Sequence, residues 1–355
     1  MYFGAIITFM KKLMNILKIS LVALTFVICV AIARGQILGV LENEKTTEKN
    51  NKNLEDITLI SDILPTVAES DTSAALPVGD SSGMKTDYKP VTGQGQITDG
   101  KDFVDSEVSY EYDFPEDIYA YRAMLTDNEK LVYDQIYHAA DIRAGQIDLC
   151  RQLDKNSLNN VMSAVFNDNP EFFWLNTSYT YGYTTRGTVV NVTLSYNETA
   201  DAMQTSRTEF LNAASQIIST ASQFANDYEK EQSVYMQLQN IVQYDENSPM
   251  NQSAYSALVN GSTVCAGYAR AFQYIMQKLN IPCYFCTGTS NGGNHAWNIV
   301  RIDGKYYNVD LSWDDTLGEA TGQISYSYFN LSDNTFGLDH TRSGLSKKLP
   351  NCVTQ

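Results

Sequence analysis

Residues 295–315 read HAWNIVRIDGKYYNVDLSWDD, two runs of alternating apolar and polar residues joined by Asp303-Gly304. Asp-Gly between such runs is the strongest short signal for a β-hairpin, because the tight two-residue turn needs positive φ at both central positions. The turn fixes a register. It sets Ile302 opposite Lys305, Trp297 opposite Asp310 and His295 opposite Ser312. Opposed residues share a face of the sheet, so His295 and Asp310 become diagonal neighbours, with Cβ atoms somewhat under roughly 7–8 Å apart. A slip of one residue would send the two side chains to opposite faces.

Upstream, residues 262–279 read STVCAGYARAFQYIMQKL. Phe272, Ile275, Met276 and Leu279 recur at helical spacing, which places Cys265 at or beside the N-terminus of a buried helix. There the unsatisfied backbone N–H groups and the positive end of the helix dipole favour an anion, the setting a reactive thiolate needs. A thiol at a helix terminus with a His and an Asp on one strand face supplies nucleophile, base and orienting group, the set that acyl transfer requires. Taken singly, Cys265 reads equally as a buried structural cysteine and His295 as a hydrogen-bonded sheet histidine. The chain has 3 histidines. His138 falls on an amphipathic helix as a surface or packing residue, and His340 falls in a polar tail beside Asp339 and Thr341, which leaves His295 as the base. The backbone N–H of Cys265 is one candidate oxyanion donor. Tyr255 is a candidate for the second, and reads as well as a core aromatic.

The segments VCAGYARAF, NHAWNIV and YYNVDLSWDD, with YSALVNG before the cysteine, resemble the transglutaminase-like superfamily in its bacterial extracytoplasmic branch. The resemblance covers about residues 235–335, and NDNPEFFWL around Pro170 is similar to the helical lead-in found before such domains. It implies an α+β, papain-like core in which Cys265, His295 and Asp310 form the catalytic triad. The family holds cross-linking transglutaminases, peptidases, amidases and members without proven activity. This sequence lacks the family's Trp shortly before the cysteine and any obvious calcium loop.

The remaining chain sets the context. With 355 residues, 43% of them hydrophobic, it can bury a core, and a formal charge of −16 argues against nucleic acid bound through phosphates. Lys11, Lys12 and Lys18 precede the uncharged run Ile19–Ala33, which ends Ala31-Ile32-Ala33 and reads as an export signal, 1–34. The run is shorter than the roughly 20 residues of a membrane-spanning helix, so membrane association is expected only if this segment stays uncleaved. Residues 35–104 are polar and hold only Tyr88 among tyrosines, which predicts a flexible tether. Residues 105–225 form a lead-in of helices and a small sheet, and 226–355 the catalytic core. In the lead-in, a capping box of Thr126 and Glu129 starts a helix running to about Ala144, and a second helix stops before Pro170. Strands are expected at Phe172–Leu175, Tyr179–Thr184 and Val189–Tyr196.

Cys283 and Cys286 make a C-x-x-C inside an apparent strand without a second metal-spaced pair, so neither metal nor cofactor is expected. Trp313, Asp314 and Asp315 read as packing and ordinary acids before they read as a cation site. The resulting expectation is a secreted cysteine acyltransferase or hydrolase acting on protein or peptide amides through a thioester. The alternative is a non-catalytic envelope-binding or scaffold module that keeps the fold.

Overall fold

In the computed structural model, residues 83–98 and 103–353 are described, and they arrange helices around two four-stranded sheets in an α+β fold. The expected export signal lies outside the described residues, as does the tether before residue 83. The first sheet opens with β1 (Thr92–Ile97). Then α1 (Asp127–Asp141) starts where its capping box requires: the Thr126 hydroxyl accepts from Glu129 N, and the Glu129 carboxylate accepts from Thr126 N at 2.9 Å. There follow β2 (Gln146–Leu153) and α2 (Lys155–Asp168), the latter capped by Asp154 and ending short of Pro170. With β3 (Ser178–Tyr183) and β4 (Val189–Thr193) the sheet order is β1-β3-β4-β2.

Three local expectations are corrected here. Phe172–Leu175 is no strand; the four side chains go into the core from turns, and Leu175 alone bridges to Tyr196. An apolar run signals burial, and burial does not require a ladder. QIDLCRQL, too polar to announce itself, is β2. Residues 83–98 are not tether: Tyr88 and Val91 are buried, and β1 pairs in parallel with β3 from Thr92↔Ser178 to Ile97↔Tyr183. All six β1 residues are exposed. The strand is held through its backbone, with the Tyr179 and Tyr181 rings lying against Gly93 and Gly95 where any side chain would collide.

Two long helices, α3 (Met203–Ala221) and α4 (Asp227–Ile241), lead to α5 (Cys265–Lys278). The second sheet is built from β5 (Cys283–Ser290), β6 (Gly293–Ile302) and β7 (Lys305–Val309), followed by α6 (Leu311–Thr321) and β8 (His340–Arg342), in the order β8-β5-β6-β7. The hairpin turn has φ of 49° at Asp303 and 77° at Gly304, as its sequence demands. Ile302 pairs with Lys305 and the ladder holds the expected register to Asn298↔Val309. It ends there: Asp310 is the N-cap of α6 and Ser312 lies in that helix, so neither Trp297–Asp310 nor His295–Ser312 forms a strand pair. The diagonal closeness of His295 and Asp310 survives because the cap follows directly on the last paired residue.

Helix α5 packs on this sheet through Phe272, Ile275 and Met276, all fully buried. One apolar cluster runs from Val91 to Cys352, so packing shows no break at 225/226 between lead-in and core. Among the described residues no helix is long and apolar enough to cross a membrane. Because the fully buried Phe272 ring of α5 meets Tyr235 of α4 edge-on, Phe272→Ala should cost about 3–5 kcal/mol, read as a lowered urea midpoint. An unchanged midpoint would show that this contact does not anchor the helix.

Candidate functional site

Asp310 gathers the site. Its Oδ1 accepts from Ser312 Oγ at 2.8 Å and from the Trp313 backbone N–H at 3.1 Å, an N-cap arrangement that fixes the carboxylate at the start of α6. Its Oδ2 is left for the histidines. His295 Nε2 lies 2.6 Å away and His340 Nε2 3.2 Å away. His295 comes from the middle of the second sheet on β6, fully buried, and Trp313 covers it at 5.4 Å between ring centroids. His340 is also buried, stacked on Phe336 at 3.9 Å, with its Nδ1 2.5 Å from Asp339 Oδ1. Asp339 accepts in turn from the Tyr328 hydroxyl at 2.8 Å.

The expectation that His340 belongs to a polar tail is thus overturned. It sits on β8, which closes the edge of β5 with His340 opposite Ser290. Three residues of strand so far downstream carry no periodic signal. The neighbouring aspartate, which suggested solvent, is the partner that allows an imidazole to be buried here. His138 behaves as expected: it packs on Tyr110 at 4.7 Å, and its Nδ1 meets the Tyr112 hydroxyl at 2.7 Å.

The electrostatics follow from burial and charge. Burial alone would lower the His295 pKa, but the Asp310 charge, and after it Cys265, outweigh burial and hold the imidazole at about 10. Burial works against ionised Asp310 as well. The His295 charge and the hydrogen bonds from His295 and His340 nevertheless keep its carboxyl well below the usual range. Cys265 is the first residue of α5, fully buried, beneath an N-cap, Val264, that offers no side-chain cap. His295 Nδ1 has no partner at hydrogen-bond geometry, while Cys265 acts on the same imidazole through its charge and a weaker hydrogen-bonding contribution. The structure therefore joins His295 to Asp310 directly, and Cys265 is one of the groups that act electrostatically on the same imidazole.

Tyr255 is committed elsewhere. Its hydroxyl donates to Glu209 Oε2 at 2.6 Å and its ring packs on Phe173. Tyr244 stands closer to the thiol: it packs against the apolar cluster that holds Cys265, and its hydroxyl donates to Asp87 Oδ2 at 2.8 Å. This residue was missed because it acts from the end of α4 through the two-residue bridge Gln243–Tyr244 to Ser262–Thr263, a pairing no sequence period announces.

Asp314 and Asp315 are structural. Asp314 accepts from Tyr235, Ser325 and Tyr328, and Asp315 from Tyr268; burial raises them to about 6 and about 7. Burial likewise pushes the Cys286 thiol up to about 12, as befits a packed strand cysteine, and the five described cysteines are all free. One polar atom each from His295, Asp310 and His340 lies within 4.8 Å of the others, a spacing that would also suit a metal ion. As the groups stand, the two imidazoles, Ser312 Oγ and the Trp313 N–H all bond to the Asp310 carboxylate.

A helix-borne cysteine laid on an antiparallel sheet that carries a carboxylate-bound histidine defines the class of fold and site. Residues 214–311 match the family model of the transglutaminase-like superfamily. It is similar to the kyphoscoliosis peptidase of Mus musculus, 23% identical over 32% of this chain and 21% of that protein. The chain thus spans about a fifth of the length of this curated relative. It is also similar to the crystal structure of a TGase, at 14% identity, covering 47% of this chain and 50% of that one with a TM-score of 0.27.

Replacing His340 by Leu removes one donor from Asp310 and strands the facing Asp339 oxygen. A loss of about 1–3 kcal/mol in unfolding free energy is expected, measured by chemical denaturation. A tail residue would leave the midpoint where it is.

Proposed function

We propose that the protein is a cysteine-dependent acyltransferase or hydrolase acting on protein or peptide amides, with Cys265 as nucleophile, His295 as acid and base, and Asp310 as the group that orients His295. The observation that supports this reading is the buried His295 imidazole bonded through Nε2 to the Asp310 carboxylate at 2.6 Å, with Cys265, the first residue of α5, among the groups that raise its pKa. The thiolate of Cys265 attacks the amide carbon, and the carbonyl oxygen develops negative charge beside the Cys265 backbone N–H and the Tyr244 hydroxyl. The proton on His295 Nδ1 passes to the leaving nitrogen as the C–N bond breaks, which leaves a thioester and a neutral imidazole. His295 then takes a proton from water or from an incoming amine, whose oxygen or nitrogen displaces the thiolate. Water gives hydrolysis or deamidation; a lysine amine gives a cross-link. Asp310 fixes the ring orientation and balances the imidazolium in a site walled by Trp297, Trp313 and Phe336, where charges are poorly screened.

We further propose that the chain works outside the cytoplasm, secreted or tethered by its N-terminal segment. The support is the charge and apolar pattern of residues 1–34.

The first test is alkylation by iodoacetamide at neutral pH. Cys265 should react faster than Cys150 or Cys352, and Cys265→Ala should abolish that fast phase; equal rates at all three would remove the nucleophile. Products formed from a protein substrate with and without a primary amine, read by mass spectrometry, separate cross-linking, deamidation and cleavage. The pH dependence has a definite sign. The folded state raises His295 from its ordinary 6.5, so the stabilisation from its imidazolium is complete below that value and is lost as pH rises through about 10. Turnover should fall along the same limb, because the proton for the leaving nitrogen is then gone. His295→Gln should lower turnover by about 10²–10⁴ and abolish the limb, with fold retained by circular dichroism.

A further inference from the structure

Cys265 is fully buried, which is no position from which to attack a polypeptide. What covers it is the chain's own segment 85–89. Tyr88 shares one apolar cluster with Cys265, Ala266, Ala269, Phe285 and Ala296, and its ring meets Phe285 edge-on at 5.9 Å. The segment is held by the contacts a bound strand makes. Gln252 grips the backbone with both ends of its amide: Nε2 donates to Asp87 O at 3.0 Å and Oε1 accepts from Lys89 N at 2.9 Å. Tyr88 N donates to the carbonyl of Asn294, the residue before His295, at 3.2 Å. Trp313 Nε1 donates to Lys85 O at 3.3 Å. Asp87 sets its carboxylate against the Tyr244 hydroxyl, and Tyr244 packs against the same cluster that holds Cys265. An acidic oxygen thus occupies the neighbourhood where an attacked carbonyl would develop its charge.

Four of these contacts address backbone atoms and so would serve any extended chain. Two address side chains, the aromatic slot at Phe285 and the donor at Tyr244. We propose that this groove is the binding site for an extended polypeptide substrate, with Gln252 and the Asn294 carbonyl reading its backbone and the slot against Phe285 taking an aromatic side chain, and that residues 85–89 lie in it as a resident occupant that substrate must displace. The proposal rests on the assignment of Cys265 as nucleophile and names the class of ligand that site takes. It also gives a reason for order in a segment whose composition predicts a tether: the backbone bonds and one buried ring supply what its polar side chains do not.

The test is the iodoacetamide reaction of Cys265 in the full chain. Tyr88→Ala empties the aromatic slot and should accelerate labelling about tenfold. Gln252→Ala releases the same segment without touching the slot and should also accelerate labelling, yet lower kcat/KM for a polypeptide substrate because the rail for its backbone is lost. The peptide GMKTDYKPV, residues 83–91, should slow labelling of Tyr88→Ala again, and a scrambled peptide of the same composition should not. Labelling that is equal in wild type and both variants overturns the proposal, as does a peptide that protects no better than its scramble. If Cys265 labels in none of the three proteins, the nucleophile assignment fails with it. If wild-type labelling depends on His295 but not on Tyr88 or Gln252, the assignment stands and the groove alone is wrong.

Discussion

Everything distinctive about this structure depends on one carboxylate, Asp310, being satisfied by four donors in a place without water. Two of the donors belong to the first turn of α6, so the local backbone holds the group in position before any tertiary partner arrives. The other two are imidazoles from β6 and β8, strands that lie two positions apart in the sheet order. A buried anion so supplied stays ionised despite its desolvation, and an ionised Asp310 is what lifts His295 above its ordinary range. The raised pKa of His295 and the burial of His340 on the strand that closes the sheet edge go with that one balance.

The hydrogen-bonded groups run in a line: Asp339, His340, Asp310, His295. Each is a partner to the next, which is how several ionisable groups can be packed against Trp297, Trp313 and Phe336 in a low-dielectric interior. The same aromatic wall that makes the charges strong also makes the site hard to reach, and the segment from Lys85 to Lys89 completes the enclosure. The second sheet and α5 therefore carry the groups of the proposed chemistry, whereas the residues just before β1 cover Cys265.

Local chemistry made much of this legible from the chain. The Asp303-Gly304 turn admits few backbone conformations, and its register carried His295 and Asp310 to one side. Thr126 with Glu129 started a helix where the reciprocal cap required it, and Pro170 stopped the next. The expected strand partners Trp297–Asp310 and His295–Ser312 failed for a reason also local: an aspartate followed by Leu-Ser-Trp caps a helix as readily as it continues a strand, and the ladder ended at Val309. The run Phe172–Leu175 was misassigned because apolar character reports burial without naming the backbone that delivers it.

The sequence by itself determined the helix that begins at Cys265, the hairpin that presents His295, and the closeness of Asp310 to His295, because the helix depends on spacing along one segment and the closeness on a two-residue turn within one hairpin. The tertiary structure alone decided that His340 and Tyr244 join them and that Lys85–Lys89 covers the thiol. Those contacts are made through backbone atoms and single polar groups between segments far apart in the chain. Neither leaves a period or a composition for a one-dimensional reading to detect.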